Sequence, residues 1–279
     1  MQPGQPSQTA LGAARLRAAH QVLDSASILA DPLAVRILGS DIGVSIDHAQ
    51  AHALGPRMRW FIAARSRIAE DALGVAMKAG ATQLVVLGAG LDTLAYRAPL
   101  AETLRIFEVD HPATQAWKRD MLAAAGIAVP ETLTFVPIDF EREMLAETLA
   151  SAGFDTARRS FFSWLGVVPY LTEQAVFSTL SYIAQLEGGA EVVFDYANPA
   201  ASVAPAARAA HQALAERAAS VGERFLSYFD TAALCSKLSA TGFRHVDDIG
   251  PAELAVRFYP EAEHAAPARG GHVMHASTA

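Results

Sequence analysis

VVLGAGLDT, residues 85–93, decides the fold. An apolar run from Leu84 to Leu87 ends in Gly88-Ala89-Gly90. That is the pattern of a buried strand turning sharply over a ligand, because glycines permit the tight turn and let the backbone come close. A dinucleotide site prefers a third glycine at position 93, which here is Thr93, and the Asp92 carboxylate would repel a pyrophosphate. The loop therefore suits a nucleoside without phosphates. Downstream, strands RIFEVD (105–110), TFVPID (134–139), SFFSWLGV (160–167) and EVVFDYA (191–197) alternate with helices from about Asp92, over 112–125, near 141–150 and over 172–186. This alternation predicts an α/β fold with a mostly parallel, doubly wound sheet and its ligand at the carboxyl ends of the strands. A helix at 231–242 and strands at 243–249 and 271–276 suit an antiparallel hairpin at one edge.

Upstream of the loop the chain reads as helical. A disordered start leads into a helix at about 8–23, Asp31-Pro32 opens a second with proline at a favoured first position, and a longer helix follows Pro56. The apolar stripe of that third helix, Met58, Ile62, Ala69, Ala72 and Ala76, is interrupted by Arg65. A guanidinium on an inward face must find an anion, either a protein carboxylate or a ligand.

Two strand ends extend the nucleoside reading. Twenty residues beyond Gly90, Asp110 closes the second strand, where a carboxylate accepts hydrogen bonds from both hydroxyls of a ribose. His111 follows it and is a candidate pocket contact. The third strand ends at Asp139-Phe140, a carboxylate for an adenine amino group and a ring to pack on the base. Each element alone also reads as a turn, a cap or a surface carboxylate. In register at three successive strand ends they reinforce one another.

The 279 residues are 52% hydrophobic and 18% charged, enough apolar material for a compact core. The 22 Lys and Arg against 29 Asp and Glu give a formal charge of −7, which disfavours nucleic acid as a partner. One cysteine, Cys235, excludes an internal disulfide and any multi-cysteine metal cage. Neither a signal peptide nor a membrane-spanning run is evident, so the expectation is a cytoplasmic protein without a membrane partner.

The stretches LGAGLDTLAYR (87–97), FEVDHPATQAWKR (107–119), FVPIDFE (135–141) and LGVVPYLT (165–172) resemble the S-adenosylmethionine-dependent methyltransferases related to leucine carboxyl methyltransferase, particularly their bacterial members. RAAHQVLDSASILADPLA (17–34), IAARSRIAEDAL (62–73) and GFRHVDDIGPAEL (242–254) extend the similarity over nearly the whole chain. The resemblance implies a class I, Rossmann-like methyltransferase domain over 1–279. Its parts would be a helical N-terminal cap (1–79), a cofactor-binding core (80–196), a lid (197–230) and a C-terminal helix with edge strands (231–279). It implies S-adenosylmethionine as cofactor, with Gly88, Ala89, Gly90 and Asp92 at the methionine part and ribose, Asp110 on the ribose hydroxyls, and Asp139 with Phe140 at the adenine. Arg65 matches a family arginine on the methionine carboxylate, and Arg17 a basic residue of the cap near the same group. Arg97 is a structural salt-bridge partner. Leu165 replaces a glutamate that many relatives carry, so a backbone carbonyl of Ser163 or Trp164 would have to meet the cofactor's amino group.

The expected reaction is in-line methyl transfer to oxygen on a small-molecule carboxylate or hydroxyl, by a monomer or homodimer. A carboxylate needs no base, whereas a phenol or alcohol usually does. The nine histidines are scattered, with no HExxH spacing, and His272 and His275, three apart on a strand, should face opposite ways. Tyr170 is a pocket candidate, and no catalytic base stands out, which favours a carboxylate. Tyr196, Phe225, Tyr228 and Phe229 are expected to line an apolar acceptor pocket under the lid. Alternatives are a non-catalytic S-adenosylmethionine binder and an NAD-dependent dehydrogenase, the latter disfavoured by Thr93 and the lack of a YxxxK pair.

Overall fold

The computed structural model describes residues 7–39, 43, 46, 47, 56–97, 104–140, 143–203, 205–220, 222–261, 264 and 270–279. Three helices come first: α1 (Gln8–Leu23), α2 (Pro32–Leu38) and α3 (Pro56–Lys78). Ser7 caps α1 through the Ala10 N–H, and Asp31 caps α2 through the Ala34 N–H, each at 3.1 Å. The core then runs β1 (Gln83–Leu87), β2 (Arg105–Asp110), α4 (Pro112–Ala124), β3 (Leu133–Pro137), α5 (Leu145–Ser151), β4 (Ser160–Trp164), α6 (Glu173–Ala184) and β5 (Ala190–Tyr196). After it come α7 (Arg208–Ser220), α8 (Thr231–Thr241), β6 (His245–Ile249), α9 (Pro251–Phe258) and β7 (His272–Ser277).

The seven strands lie in the order β3-β2-β1-β4-β5-β7-β6. The first five are parallel, and β7 runs antiparallel to both β5 and β6. The reversed strand thus sits one place in from the edge, with β6 outermost, and α9 interrupts the connection that the sequence reading left as a hairpin. All five residues of β1 are buried. Leu84 and Val86 belong to a core with α3, while Val85 and Leu87 belong to the opposite core with α6 and α8. A central strand covered on both faces reads as an unbroken apolar run for this reason. Chain order reverses between β1 and β4, the place where such sheets open a crevice for ligands.

Over the described residues 92–97 the helix expected from about Asp92 is not formed. Asp92 Oδ1 instead accepts the Leu94 N–H at 2.7 Å, a local side-chain bond that competes with helical pairing, and the described residues that follow form a 3₁₀ turn, Leu94–Tyr96. Residues 98–103 lie outside the described part, as do the first six residues and Glu141. Helix α7 lies in the segment expected to be a lid, and α9 was missed although Gly250-Pro251 with Glu253 in the first turn is a helix start.

One charge cluster pins the end of α1 to α3. Asp24, just past α1, accepts from Arg59 Nε at 2.6 Å and Nη2 at 2.7 Å, from Trp60 Nε1 at 3.1 Å and from the His20 ring at 2.8 Å. Burial opposes the charge on Asp24, but the bonds from Arg59, His20 and Trp60 outweigh it and hold its carboxyl well below the usual range. Its ionised form therefore stabilises the fold above the ordinary aspartate value, and that contribution is lost as pH falls toward the depressed one. Asp24→Asn should cost about 3 kcal/mol at pH 7, because Arg59 loses its buried partner. Urea melts from pH 7 to pH 3 should show the difference from wild type shrinking as the solution is acidified.

Candidate active site

The loop after β1 is fixed by what surrounds it. Gly88 has φ +65°, and a Cβ there would come within 2.2 Å of Val167 Cγ2 from the loop after β4, so no side chain fits. Arg17 of α1 reaches down with Nη1 to Asp92 Oδ2 at 3.0 Å, Nη2 to the Leu91 carbonyl at 2.6 Å and Nε to Asp31 Oδ2 at 3.2 Å. Burial opposes ionisation of Asp92, yet Arg17, then Lys118 and Arg97, hold its carboxyl below the usual range. Thr93 donates its hydroxyl to Asp31 Oδ2 at 2.6 Å. The residue that replaces the dinucleotide-type glycine is thereby committed to tying the loop to the helical cap.

At the end of β2, Asp110 accepts the Gly90 N–H on Oδ2 at 2.5 Å and the His111 N–H on Oδ1 at 2.7 Å. Burial pushes its carboxyl above the usual aspartate range, against those two N–H groups. His111 caps α4, its Nδ1 accepting the Ala113 N–H at 3.2 Å. Asp139 lies two residues beyond β3 and donates its N–H to Glu143 at 2.7 Å, with Phe140 packed partly against the core.

Arg65 lies under the loop after β4, where the sequence reading asked for an anion. The anion present is Asp195 of β5, whose Oδ2 accepts from Arg65 Nη1 at 2.8 Å while its Oδ1 accepts the Gly166 N–H at 2.5 Å. Gly166, at φ +75°, leaves room for the guanidinium, since a Cβ would lie 2.8 Å from Arg65 Nη2. Arg65 Nε is buried without an acceptor among the described residues. Asp195 was missed, although a carboxylate at the carboxyl end of a strand is the same signal that picked out Asp110. Arg97 is structural, clamped on Glu70 and near Asp31.

These groups share one cavity of about 1450 Å³. Arg17, Arg65, Gly88, Ala89, Gly90, Asp92, Asp110, His111, Asp139, Phe140 and Leu165 all line it, as does Tyr170. Of the two residues whose carbonyls were considered in place of the family glutamate, Ser163 borders the cavity and Trp164 does not. Burial pushes the Tyr170 hydroxyl up to about 12, despite Thr9 and Arg65, so it stays a phenol and is a poor base. Tyr196 and Phe225 line the cavity, but Phe229 packs on Phe177 in the core and Tyr228 lies against the His211 ring. Segment 197–230 contributes Asn198, Val203, Leu214 and Phe225, and its Glu223 holds the start of α1 through Ser7, Gln8 and Thr9. The structure also joins a cavity-lining histidine to a carboxylate that no local pattern links to it. His272 Nδ1 lies 2.9 Å from Asp248 Oδ2, whereas His275 pairs with Glu191 on the other face. No cluster of three or more potential metal ligands occurs among the described residues, and no described helix is long and apolar enough to cross a membrane.

Residues 10–184 match the leucine carboxyl methyltransferase family. A Bacillus subtilis (strain 168) protein, YktD, provisionally named an S-adenosyl-L-methionine-dependent methyltransferase, is 34% identical over 198 residues, 70% of this chain and 65% of the relative. A similarly named Mycobacterium avium (strain 104) protein is 32% identical over 249 residues, 85% of this chain and 83% of the relative. The chain thus spans just under two thirds of the first relative's length and more of the second. Among solved structures, the CurJ carbon methyltransferase superposes with a TM-score of 0.52 at 16% identity, over 96% of this chain and 67% of that one, which is a likeness of fold.

Proposed function

Because the chain belongs to the leucine carboxyl methyltransferase family, we propose that it is an S-adenosylmethionine-dependent methyltransferase acting on an oxygen atom of a small molecule. The observation that carries this reading is convergence. Residues from β1, β2, β3, α1 and α3, chosen on sequence for a nucleoside with a carboxylate-bearing tail, border a single cavity.

The residues fit such a ligand. The Gly88 turn brings backbone to the cavity wall where no side chain has room. Asp110 is held by two N–H groups in one orientation and keeps oxygen lone pairs for two ribose hydroxyls. Arg65, already paired with Asp195, retains an unsatisfied Nε–H, and a guanidinium with five donors can serve a second carboxylate. Asp139 and Phe140 would take the adenine. The cavity is larger than the roughly 300–1,000 Å³ of a single small-ligand site, which leaves space for an acceptor beside the nucleoside.

When bound, S-adenosylmethionine supplies an electrophilic methyl group on a sulfonium centre. The protein's part is to hold the acceptor oxygen in line with that group and to exclude water. The buried Arg65–Asp195 pair and the Gly88 loop give a rigid floor, and segment 197–230 closes over it. Titration calorimetry should show S-adenosylmethionine and S-adenosylhomocysteine binding and NAD failing to bind, after which a tritiated-methyl assay should label an oxygen acceptor. A folded sample that binds neither sulfur ligand overturns the proposal.

A further inference from the structure

The cavity wall includes a histidine that no sequence motif marks. β7 begins at His272, which stands across from Tyr196 of β5 in the antiparallel register. Its imidazole lies on the Tyr196 ring, centroids 5.0 Å apart. Its Nδ1 faces Asp248 of β6 at 2.9 Å and 3.2 Å from the two carboxylate oxygens. Asp248 is itself fixed, accepting the Tyr196 hydroxyl at 2.8 Å, and Tyr196 is shared with Thr231 at 2.9 Å. A carboxylate on Nδ1 selects the tautomer with the proton on that atom, leaving Nε2 as an unprotonated acceptor. Nε2 has no hydrogen-bond partner among the described residues, and His272 lines the cavity.

The chain leading into His272 packs on the helix that carries Arg65. Tyr196 follows Asp195, the partner of Arg65. Gly271, just before His272, packs so closely on Phe61 of α3 that a Cβ would lie 2.6 Å from the ring, and the Arg65 guanidinium lies over the same ring, 5.8 Å from its centre. By contrast, His275 uses Nε2 itself to pair with Glu191, as a purely structural histidine does. The cavity wall is also aromatic, with Phe61, Tyr170, Phe225 and Tyr259.

We propose that His272, oriented by Asp248 as a positioning residue, is the general base for a phenolic hydroxyl, which makes a phenol rather than a carboxylic acid the acceptor. This rests on the methyl-transfer reading above. A carboxylate is ionised at neutral pH and would have no use for the dyad, whereas a phenol, near pKa 10, must lose a proton as its oxygen attacks. The phenol gives its proton to Nε2 and its oxygen forms the new bond to the methyl carbon. The electron pair of the breaking carbon–sulfur bond stays on sulfur, turning a sulfonium into a neutral thioether, and the imidazolium later releases the proton to water. Of the charged and titratable groups on the elements around His272, Asp248 on β6 and Tyr196 on β5 touch it, and Asp195 on β5, Arg57 and Arg65 on α3, and Tyr259 after α9 line the same cavity.

The test compares wild type with His272→Asn, which keeps a donor toward Asp248 but lacks Nε2. S-adenosylhomocysteine affinity should agree within about threefold, and failure of wild type to bind it would instead sink the underlying methyl-transfer reading. With a tritiated methyl donor, a set of one- and two-ring phenols and the matching aromatic acids, the phenols should take the label. For those, His272→Asn should lower kcat by about 100-fold or more with little change in KM, and should abolish the fall in rate on the acid side of the pH profile. Labelling of the acids alone, or an unchanged kcat and pH profile, overturns the proposal. A second measurement needs no acceptor. Diethyl pyrocarbonate should modify His272 on Nε2 in the S-adenosylhomocysteine-bound protein, about tenfold more slowly in Asp248→Asn, as mapped by peptide mass spectrometry. A His272 that stays unmodified while surface histidines react also overturns it.

Discussion

Asp110→Ala is expected to weaken S-adenosylhomocysteine binding by about 100-fold or more while the sheet still folds. Two hydrogen bonds from ribose hydroxyls to one ionised carboxylate contribute about 1.5–3 kcal/mol each, and a loss of about 3 kcal/mol is roughly a hundredfold in affinity. The substitution also frees the Gly90 and His111 N–H groups, so the loop after β1 loses the anchor that sets its curvature. Calorimetry beside a thermal melt separates the outcomes. A hundredfold affinity loss with a shift of a few degrees supports the assignment, and unchanged affinity overturns it. The pH dependence adds a signature. Burial raises the Asp110 carboxyl above the ordinary aspartate range, against the pull of the Gly90 and His111 N–H groups and the charges of Lys118 and His111. A ligand that needs the ionised form is released as pH falls through that raised value. Wild-type affinity should therefore begin to fall at a higher pH than an ordinary aspartate would allow, and Asp110→Asn should lack that inflection.

The features legible in the sequence are those whose cause is local. β2 runs over 105–110 as expected, because a strand buried on both faces and closed by a carboxylate is written in consecutive residues. The same locality placed Asp110, Asp139 and the glycine loop at neighbouring strand ends once the strands were assumed parallel. Over 92–97 one side chain overrides the helical pattern, as Asp92 takes the Leu94 N–H. Pairings across the sheet were out of reach. Arg65 announced a missing anion, but Asp195 lies 130 residues away and becomes its partner only because α3 packs on β5. His272 and Asp248 meet because β7 inserts between β5 and β6, an order that periodicity does not encode. A reading by motif alone therefore had no means to join these two residues.

The second large effect is expected behind the ribose site rather than in it. Glu108 stands two residues before Asp110 on β2 and belongs to the same run of residues that resembled the family. It accepts Lys118 Nζ of α4 at 2.7 Å and the Tyr96 hydroxyl at 2.9 Å, and both members of the ion pair are almost wholly buried. The pair fastens α4, whose N-cap is His111, to the strand that ends in Asp110. Lys118→Met should lower stability by about 3–5 kcal/mol, since a buried carboxylate is left without its cation. Burial already pushes the Glu108 carboxyl up, with Lys118 opposing it, so removing the lysine raises it further. A raised acid makes the native state hold a proton that the unfolded chain has lost, and stability then falls as pH rises through that window. The variant should accordingly unfold more easily at pH 8 than at pH 5 relative to wild type. Adding Glu108→Gln removes the stranded charge while keeping an acceptor for Tyr96, and should restore at least half of the loss. Urea melts of the two single variants and the double variant at both pH values test this. A double variant no more stable than Lys118→Met would show that the lysine acts through its packing on Tyr96 and not through the pair.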